Sequence, residues 1–259
     1  MKAQLRHAYQ TGKLVLFAGA GVSANLGLPS WSQLTSRLAN ELGYDPEIFA
    51  SLAELYRRKK GTLGPLRSWM DREWHKEGID IGGSEIHRLI AQGNFSKIYT
   101  TNYDRWLEIA HDYYGIPYTK VASVADLVTA QEGCREIVKF HGDFDDDASI
   151  VLDETSYYER LDFESPLDIK LRHDVLGNSV LFIGYSISDL NIRLLFYRLT
   201  KMWGNHARAP ARPKSYLFTN RPNPVAEEVL GHWGIEMLVS EEDDRQTALT
   251  EFLAELVQR

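Results

Sequence analysis

The chain has 259 residues, of which 44% are hydrophobic and 25% charged, and its net charge is −7. These values are typical of a soluble globular protein and exclude a wholly disordered one. The length fits one large domain, or one domain that carries an insertion. Because proteins that bind phosphate backbones usually carry positive charge, we predict no direct binding to nucleic acid or to anionic membranes.

Cysteine content and the first residues predict the cellular setting. Cys134 is the only cysteine, so the chain can form neither an internal disulfide nor a multi-cysteine zinc site. The N-terminus is polar where a signal peptide needs an apolar stretch. The apolar run 14–22 is much shorter than the roughly 20 residues that span a bilayer. We therefore expect a soluble, cytoplasmic protein.

Short apolar runs alternate with amphipathic stretches along the chain. The runs are rich in Val, Ile, Leu, Phe and Tyr and alternate only weakly, as strands buried on both faces do. The predicted strands are 13–18, 97–101, 116–121, 136–140, 179–183, 215–219 and 235–239. Helices are predicted at 102–114, 188–199, 224–232 and 245–257. This alternation indicates an α/β fold with a Rossmann-like parallel sheet covered on both faces.

Two stretches interrupt the alternation. Residues 31–92 contain helical patterns at 31–42, 46–60, 63–76 and 84–92 without a convincing strand, and we interpret them as a helical insertion. Residues 144–177 read as one short extended piece followed by two helices, and we interpret them as a second, smaller insertion. The expected organisation is thus a single domain over 1–259 with insertions near 31–92 and 144–177.

A glycine-rich loop directly follows the first predicted strand. Residues 19–24 read GAGVSA, a form of the G-x-G-x-x-A dinucleotide fingerprint. Small residues let backbone amides approach phosphate oxygens, and a helix N-terminus after the loop would add favourable partial charge. The alternative is a tight strand-to-helix turn without a ligand. A dehydrogenase would need an acidic residue about 20 positions on, at a strand end, but Glu41 lies in a helical pattern.

Polar residues also follow three other predicted strands. TTNYD occupies 100–104, FHGD occupies 140–143 and GYSISD occupies 184–189. Because parallel strands end at one edge of the sheet, we expect these segments and the glycine loop to share one cleft. Each segment also has a structural interpretation. Asn102, Ser186 or Ser188 could cap a helix, and His141 could be a core histidine.

An acidic run follows the predicted fourth strand. Asp143, Asp145, Asp147 and Glu154 fit positions 1, 3, 5 and 12 of a calcium-binding loop, but Ala148 stands where that loop needs glycine. We interpret the run as a solvated acidic loop and predict no metal site.

The ordered motifs GAGVS, TTNYD, KFHGD and GYSISDLNIR between positions 19 and 193 resemble those of the sirtuin family. The likeness is greatest to the bacterial SIR2-like branch that acts in anti-phage defence through NAD⁺-hydrolysing effectors. In this family an asparagine after a late strand holds the adenosine ribose, and Asn220 matches its place. The resemblance implies a sirtuin-type Rossmann-like fold and NAD⁺ as the substrate.

The resemblance also implies roles for individual residues. Asn102 would contact the nicotinamide ribose and position a water, and His141 would act as the base on the ribose hydroxyls. Asp104 would face the nicotinamide carboxamide. The implied NAD⁺-binding set is Gly19, Ala20, Gly21, Ser23, Thr101, Asp104, Gly184, Ser186, Asp189 and Asn220.

Departures from the family pattern help to distinguish between the reactions that the resemblance implies. Deacylating sirtuins carry a four-cysteine zinc module, whereas residues 144–177 contain no cysteine. The family's Pro-Asp-Phe-Arg stretch is replaced by LPSW at 28–31, and its glutamine before the asparagine is replaced by Thr101. These departures argue against deacylation of acyl-lysine. Water is then the expected acceptor, and nicotinamide and ADP-ribose are the expected products.

We therefore predict an NAD⁺ hydrolase of anti-phage defence that is activated by a partner or by assembly. No fused sensor domain is evident in the sequence, so we expect regulation by a partner or by a homo-oligomer. The resemblance implies a HerA-like ATPase or another phage-sensing protein as that partner. Two alternatives stay open. One is a zinc-free sirtuin-type deacylase or ADP-ribosyltransferase, and the other is a non-catalytic module that binds NAD⁺ or ADP-ribose.

Overall fold

Seven parallel strands form the centre of the structure, a computed structural model that describes residues 1–46, 49–130, 133–147, 149–161, 164–185, 190–203 and 212–258. The strands are β1 (Leu14–Ala18), β2 (Lys97–Thr100), β3 (Tyr118–Val121), β4 (Arg135–Lys139), β5 (Ser179–Ile183), β6 (Ser215–Thr219) and β7 (Ile235–Val239). Their order across the sheet is β3-β4-β2-β1-β5-β6-β7. The predicted α/β fold with a parallel sheet is confirmed.

Helices cover both faces of this sheet. They are α1 (Ala3–Gln10), α2 (Trp31–Leu42), α3 (Phe49–Lys60), α4 (Gly64–Trp74), α5 (Glu85–Gln92), α6 (Trp106–Tyr113), α7 (Val124–Thr129), α8 (Glu154–Leu161), α9 (Pro166–Leu176), α10 (Leu190–Trp203), α11 (Pro224–His232) and α12 (Arg245–Val257). Of these, α1 and α7 were not predicted. None of the helices in the described ranges has both the length and the apolar character needed to cross a bilayer.

Alternating side chains of the buried strands pack into two separate layers. Leu14, Leu16 and Ala18 of β1 belong to a cluster with α1, α5 and α12. Val15 and Phe17 belong to the opposite cluster, with α9, α10 and α11. This period of two is the geometry of a strand buried on both faces, and it explains why the apolar runs show little polar alternation.

The helices of the first half of the chain make a third core. Residues of α2, α3 and α4 pack together with Tyr103, Phe144, Ile150 and Leu152. The helix α5 instead packs against the sheet, through Ile86 and Ile90 among others. Helices from 31–74 therefore share a core with residues of the predicted insertion at 144–177. The division of the chain into one domain with two insertions stays a prediction.

The sheet places a topological switch at β1. This strand pairs with β2 on one side and with β5 on the other, and the chain reaches β5 only after completing β2, β3 and β4. Ligands of open parallel sheets bind outside the carboxyl ends of the strands at such a switch. The loops after β1, β2 and β5 meet at this position.

Candidate functional site

The loops after β1 and β5 are joined by backbone hydrogen bonds. Ala18 is in register with Ile183, so the next residues of both strands lie side by side. The Gly19 N–H donates to the carbonyl of Ile183 at 2.9 Å, and the Gly21 N–H donates to the carbonyl of Gly184 at 2.8 Å. Two loops that are distant in the chain thus form one continuous wall at the sheet edge.

Glycine is required in this wall by close backbone contact. A Cβ atom on Gly21 would lie 2.8 Å from the Cα of Gly184, and one on Gly19 would lie 2.8 Å from the Gly184 carbonyl oxygen. Gly184 itself has φ +72°, a conformation that favours glycine. The fingerprint glycines therefore serve the packing of two loops.

The glycine loop does not open directly into an α-helix, as the sequence pattern suggested. Two short 3₁₀ turns, Ala20–Val22 and Ala24–Leu26, follow β1. The next α-helix, α2, begins at Trp31 with Ser30 as its N-cap. The amides of Gly19, Gly21, Val22 and Ser23 all donate to protein carbonyls, so these four are not directed at a phosphate.

The segment after β2 is held as a loop by side-chain hydrogen bonds. The Thr100 hydroxyl donates to the Ala18 carbonyl at 2.7 Å and accepts from the Asn102 N–H at 3.0 Å. One Asp104 carboxylate oxygen accepts from the Ser23 hydroxyl and from the Trp106 N–H, both at 3.2 Å. Because these bonds replace helical ones, the predicted helix at 102–114 begins only at Trp106.

A cavity of about 230 Å³ lies between the glycine loop and this segment. The described residues that line it are Ala20, Gly21, Ser23, Ala24, Leu28, Pro29, Ser30, Trp31, Trp74, Asn102, Tyr103, Asp104 and Arg245. Asn102 is only 8% exposed, and its Nδ2 has no hydrogen-bond partner in the described part of the chain. A buried amide left without a partner is costly, so this donor is suited to a ligand.

A buried charged pair, Lys139 and Glu108, holds the segment that carries Asn102 and Asp104. The Lys139 ammonium, which is fully buried, donates to the Asp104 carbonyl and lies 3.3 Å from a Glu108 carboxylate oxygen. Burial raises the pKa of Glu108, and the nearby Lys139 charge opposes that rise. Removal of either partner would leave an uncompensated buried charge. Because the pair is costly to break, it holds the loop after β2 in place.

His141 occupies a different environment at the end of β4. Its ring packs against Phe140 and against Tyr157 of α8, with ring centroids 5.9 and 5.6 Å apart. Burial, together with the positive charge of Arg160, lowers the pKa of His141 to about 3. His141 is not among the described residues that line the cavity.

Two further predicted residues, Thr101 and Asn220, are not part of the cavity lining. The Thr101 hydroxyl is 3.1 Å from the Tyr185 hydroxyl, which also donates to the Ala18 carbonyl at 3.1 Å. The Asn220 amide donates to the carbonyl of Asp243 at 2.7 Å, in the turn before α12. Tyr185 was not predicted as a site residue, although it stands within the GYSISD motif.

The structure thus brings part of the predicted set together. Of the predicted residues, Ala20, Gly21, Ser23, Asn102 and Asp104 line the cavity. Those that do not are Gly19, Thr101, His141, Gly184 and Asn220. Ser186 and Asp189 lie outside the described residues, so their positions stay predictions.

Sequence reasoning missed eight residues of the lining, and the largest side chains among them are those of Trp31, Trp74, Tyr103 and Arg245. Trp31 and Tyr103 had a local signal, because they stand within the LPSW and TTNYD segments. Trp74 and Arg245 had none, since each reaches the cavity from a helix far away in the chain. Trp31, Trp74 and Tyr103 contact one another, with ring centroids 6.1 to 6.2 Å apart.

The aspartates of the acidic run are engaged in ion pairs. Asp143 and Asp145 both contact the Lys120 ammonium, and Asp147 lies 2.7 Å from the Arg67 guanidinium. Within the described ranges, no group of three or more His, Cys, Asp or Glu side chains is arranged to hold a metal ion.

Comparison of the sequence with known proteins identifies relatives of this chain. Residues 96–238 match the family model of the SIR2-like domain. The chain is 32% identical to the NAD(+) hydrolase ThsA of Enterococcus faecium over 71% of its own length and 39% of that relative. It is 28% identical to the protein of the same name from Bacillus cereus (strain MSX-D12), over 74% of this chain and 41% of that one.

A further relative covers more of this chain. Defense-associated sirtuin 2 of Bacillus subtilis is 26% identical over 88% of the chain, which corresponds to 23% of that protein. The chain therefore spans about two fifths or less of the length of these curated relatives.

Solved structures show a related fold. A Sir2 homologue in complex with NAD has a TM-score of 0.54 at 14% identity, covering 99% of this chain and 94% of the other. A mutant Sir2 homologue in complex with ADP-ribose has a TM-score of 0.55 at 14% identity, covering 99% and 96%. At this identity the likeness concerns the fold alone.

Proposed function

The chain belongs to the SIR2-like domain family, and on that basis we propose that it hydrolyses NAD⁺ to nicotinamide and ADP-ribose. Relatives that carry the name NAD(+) hydrolase support this proposal. Because the chain spans only part of their length, their activity as whole proteins is carried over as a proposal.

The observation that carries the proposal is the amide of Asn102. It is buried, its Nδ2 lacks a partner among the described residues, and it lines a cavity at the switch point of the sheet. Ser23 and Asp104, from two different strand ends, lie on the same lining and are bonded to each other. A polar donor held in this way is preorganised for a ligand.

The reaction needs few chemical groups. Hydrolysis breaks the bond between the nicotinamide nitrogen and C1′ of the ribose and forms a bond from C1′ to a water oxygen. Nicotinamide leaves as a neutral molecule from a cationic ring, so no general acid is required, and one proton is released to solvent. Positioning and preorganised electrostatics can therefore supply most of the rate enhancement.

Individual residues take the following proposed roles. Asn102 holds the nicotinamide ribose and the attacking water, while Asp104 faces the carboxamide of the leaving group. His141 accepts a proton from a ribose hydroxyl, and its lowered pKa keeps the ring neutral near pH 7. The remaining proposed contacts to NAD⁺ come from Gly19, Ala20, Gly21, Ser23, Thr101, Gly184, Ser186, Asp189 and Asn220.

The cavity is smaller than the whole substrate. Its volume of about 230 Å³ falls below the roughly 300–1,000 Å³ of typical small-molecule sites. We therefore assign it one portion of NAD⁺, with the rest of the dinucleotide extending along the carboxyl edge of the sheet. Asn220, at the end of β6, marks the far end of that path and is the proposed contact to the adenosine ribose.

The proposed setting is anti-phage defence in the cytoplasm, where NAD⁺ is available. A relative is named as a defence-associated sirtuin, and an NAD⁺ hydrolase that is always active would poison its own cell. We therefore propose control by homo-oligomer assembly, or by a HerA-like ATPase or another phage-sensing partner.

The test is incubation of the full chain with NAD⁺, alone and with candidate partners. Hydrolysis predicts nicotinamide and ADP-ribose in equal amounts, with little product from the matched variant Asn102→Ala. Modified protein or O-acyl-ADP-ribose would instead indicate group transfer. Binding of NAD⁺ without turnover under every condition would indicate a non-catalytic module and contradict the proposal.

A further inference from the structure

The cavity carries a single cationic side chain among its described lining residues. Arg245, the first residue of α12, is the only Lys or Arg in that lining, and Asp104 is the only carboxylate. The Asp104 carboxylate accepts hydrogen bonds from Ser23 and from the Trp106 amide. Arg245 therefore supplies the positive potential of a cavity in a chain whose net charge is −7.

The guanidinium of Arg245 is not committed to an ion pair. No carboxylate of the described residues lies within 4.0 Å of it, in contrast to Arg105, which pairs with Asp71 and Asp145. The adjacent Asp244 is engaged as the N-cap of α12, accepting from the Thr247 N–H at 2.7 Å and from its hydroxyl at 2.8 Å. An exposed guanidinium beside a polar cavity is suited to an anionic ligand group.

The position of Arg245 is fixed by the turn before α12. The Asn220 amide donates to the carbonyls of Glu242 and Asp243 at 3.4 and 2.7 Å, which fastens this turn to the end of β6. Leu249 and Leu253 of α12 are buried against the sheet. The helix start is thus held at the same sheet edge as the glycine loop.

Most amides of the glycine loop are not available to neutralise the phosphates of a bound nucleotide, so another group must do so. Four of its amides, those of Gly19, Gly21, Val22 and Ser23, donate to protein carbonyls. These donors are therefore already used, unlike those of a loop that cradles phosphates with free amides. A guanidinium matches the geometry and the charge of phosphate oxygens.

We propose that Arg245 binds the pyrophosphate of NAD⁺ and of ADP-ribose, and that Asn220 positions it by holding the turn before α12. This inference rests on the proposed function, since it names the cation of the same site. Two phosphates carry two negative charges in a protein of the same sign, so a local cation has a large effect on affinity.

The test measures ADP-ribose binding to the full chain by calorimetry at several salt concentrations. Arg245→Gln is expected to raise the Kd about tenfold and to reduce the dependence of Kd on salt, whereas Arg245→Lys is expected to recover part of both. The matched control is Arg221→Gln, which removes an exposed arginine from the same sheet edge outside the cavity lining. The control is expected to bind within twofold of the wild type.

Two results would overturn the assignment. One is an unchanged Kd in Arg245→Gln, and the other is a weaker Kd with an unchanged salt dependence, which would indicate a structural role. Wild type that binds ADP-ribose but does not cleave NAD⁺ would defeat the proposed hydrolysis and leave this assignment standing. Wild type that binds no ADP-ribose would defeat both.

Discussion

Two strand ends on the same edge of the sheet are built in opposite ways. The segment after β2 holds Asn102 in a hydrogen-bonded loop with its Nδ2 unpartnered, among the described residues, beside a cavity. The segment after β4 places the ring of His141 against Phe140 and Tyr157, outside the cavity lining. One end is arranged for a ligand and the other is packed by its neighbours.

This difference bears on how the proposed hydrolysis of NAD⁺ would be driven. With its pKa lowered to about 3, His141 is a weak proton acceptor near pH 7 in this arrangement. Because nicotinamide leaves as a neutral molecule, the reaction depends more on positioning than on proton transfer. We therefore expect Asn102 to matter more for turnover than His141.

The largest predicted effect is at Asn102. Asn102→Ala removes the buried donor and is expected to lower kcat for NAD⁺ hydrolysis about 10³-fold, while circular dichroism and the unfolding midpoint stay close to those of the wild type. Nicotinamide release followed by chromatography is the measurement. A variant that retained a tenth or more of wild-type turnover would contradict the assignment.

Acidification is expected to destabilise the fold. Burial lowers the pKa of His87 and of His111 to about 4, and burial with the Arg160 charge lowers that of His141 to about 3. Below pH 6.5 the unfolded chain therefore binds protons that the folded chain does not. The free energy of unfolding should fall by about 5 kcal/mol between pH 7 and pH 5, because each of the three histidines contributes a little under 2 kcal/mol.

Urea titrations at several pH values measure this loss. His87→Asn should show a shallower pH dependence than the wild type, whereas His232→Gln, which removes an exposed histidine, should keep the full dependence. Stability that is flat from pH 7 to pH 5 would refute the neutral state of these rings in the folded chain.

Substitution of His141 tests the segment after β4. His141→Ala is expected to lower kcat about 10²-fold, a smaller loss than that of Asn102→Ala, because the ring is a weak base in its present surroundings. Parallel kinetics of the two variants provide the comparison. A loss at His141 equal to or larger than that at Asn102 would reverse the order of importance that we propose.

The smallest predicted effect concerns the wall between the two loops. Gly21→Ala places a Cβ 2.8 Å from the Gly184 backbone and is expected to cost about 2 kcal/mol of stability together with most ADP-ribose binding. Gly27→Ala is the matched control, since Gly27 has φ +73° but open space around it. It should cost about 1 kcal/mol and leave binding intact, and equal binding by both variants would contradict the role of the wall.

The strands could be predicted from the sequence, and the site only in part. Buried parallel strands leave a continuous apolar signature, so 179–183, 215–219 and 235–239 were predicted with the bounds that the structure has. The segment 102–105 was wrongly predicted as helix, because the bonds from Thr100 and Asp104 that keep it a loop depend on side-chain geometry.

Arg245 illustrates a second limit of sequence reasoning. It reaches the cavity only because α12 follows β7, which pairs with β6, and because Asn220 holds the turn before the helix. Nothing in the local pattern around Arg245 indicates a ligand. Motifs at strand ends are visible in a sequence, whereas side chains delivered by a distant helix become visible only in the fold.

The position of bound ADP-ribose is the most direct test of the central claim. A crystal structure of the full chain with ADP-ribose should place the ligand ribose against the Asn102 amide, beside the Ser23–Asp104 hydrogen bond, with the pyrophosphate toward Arg245. ADP-ribose found on another surface, with the Asn102 amide still facing a cavity that holds no part of the ligand, would contradict the account.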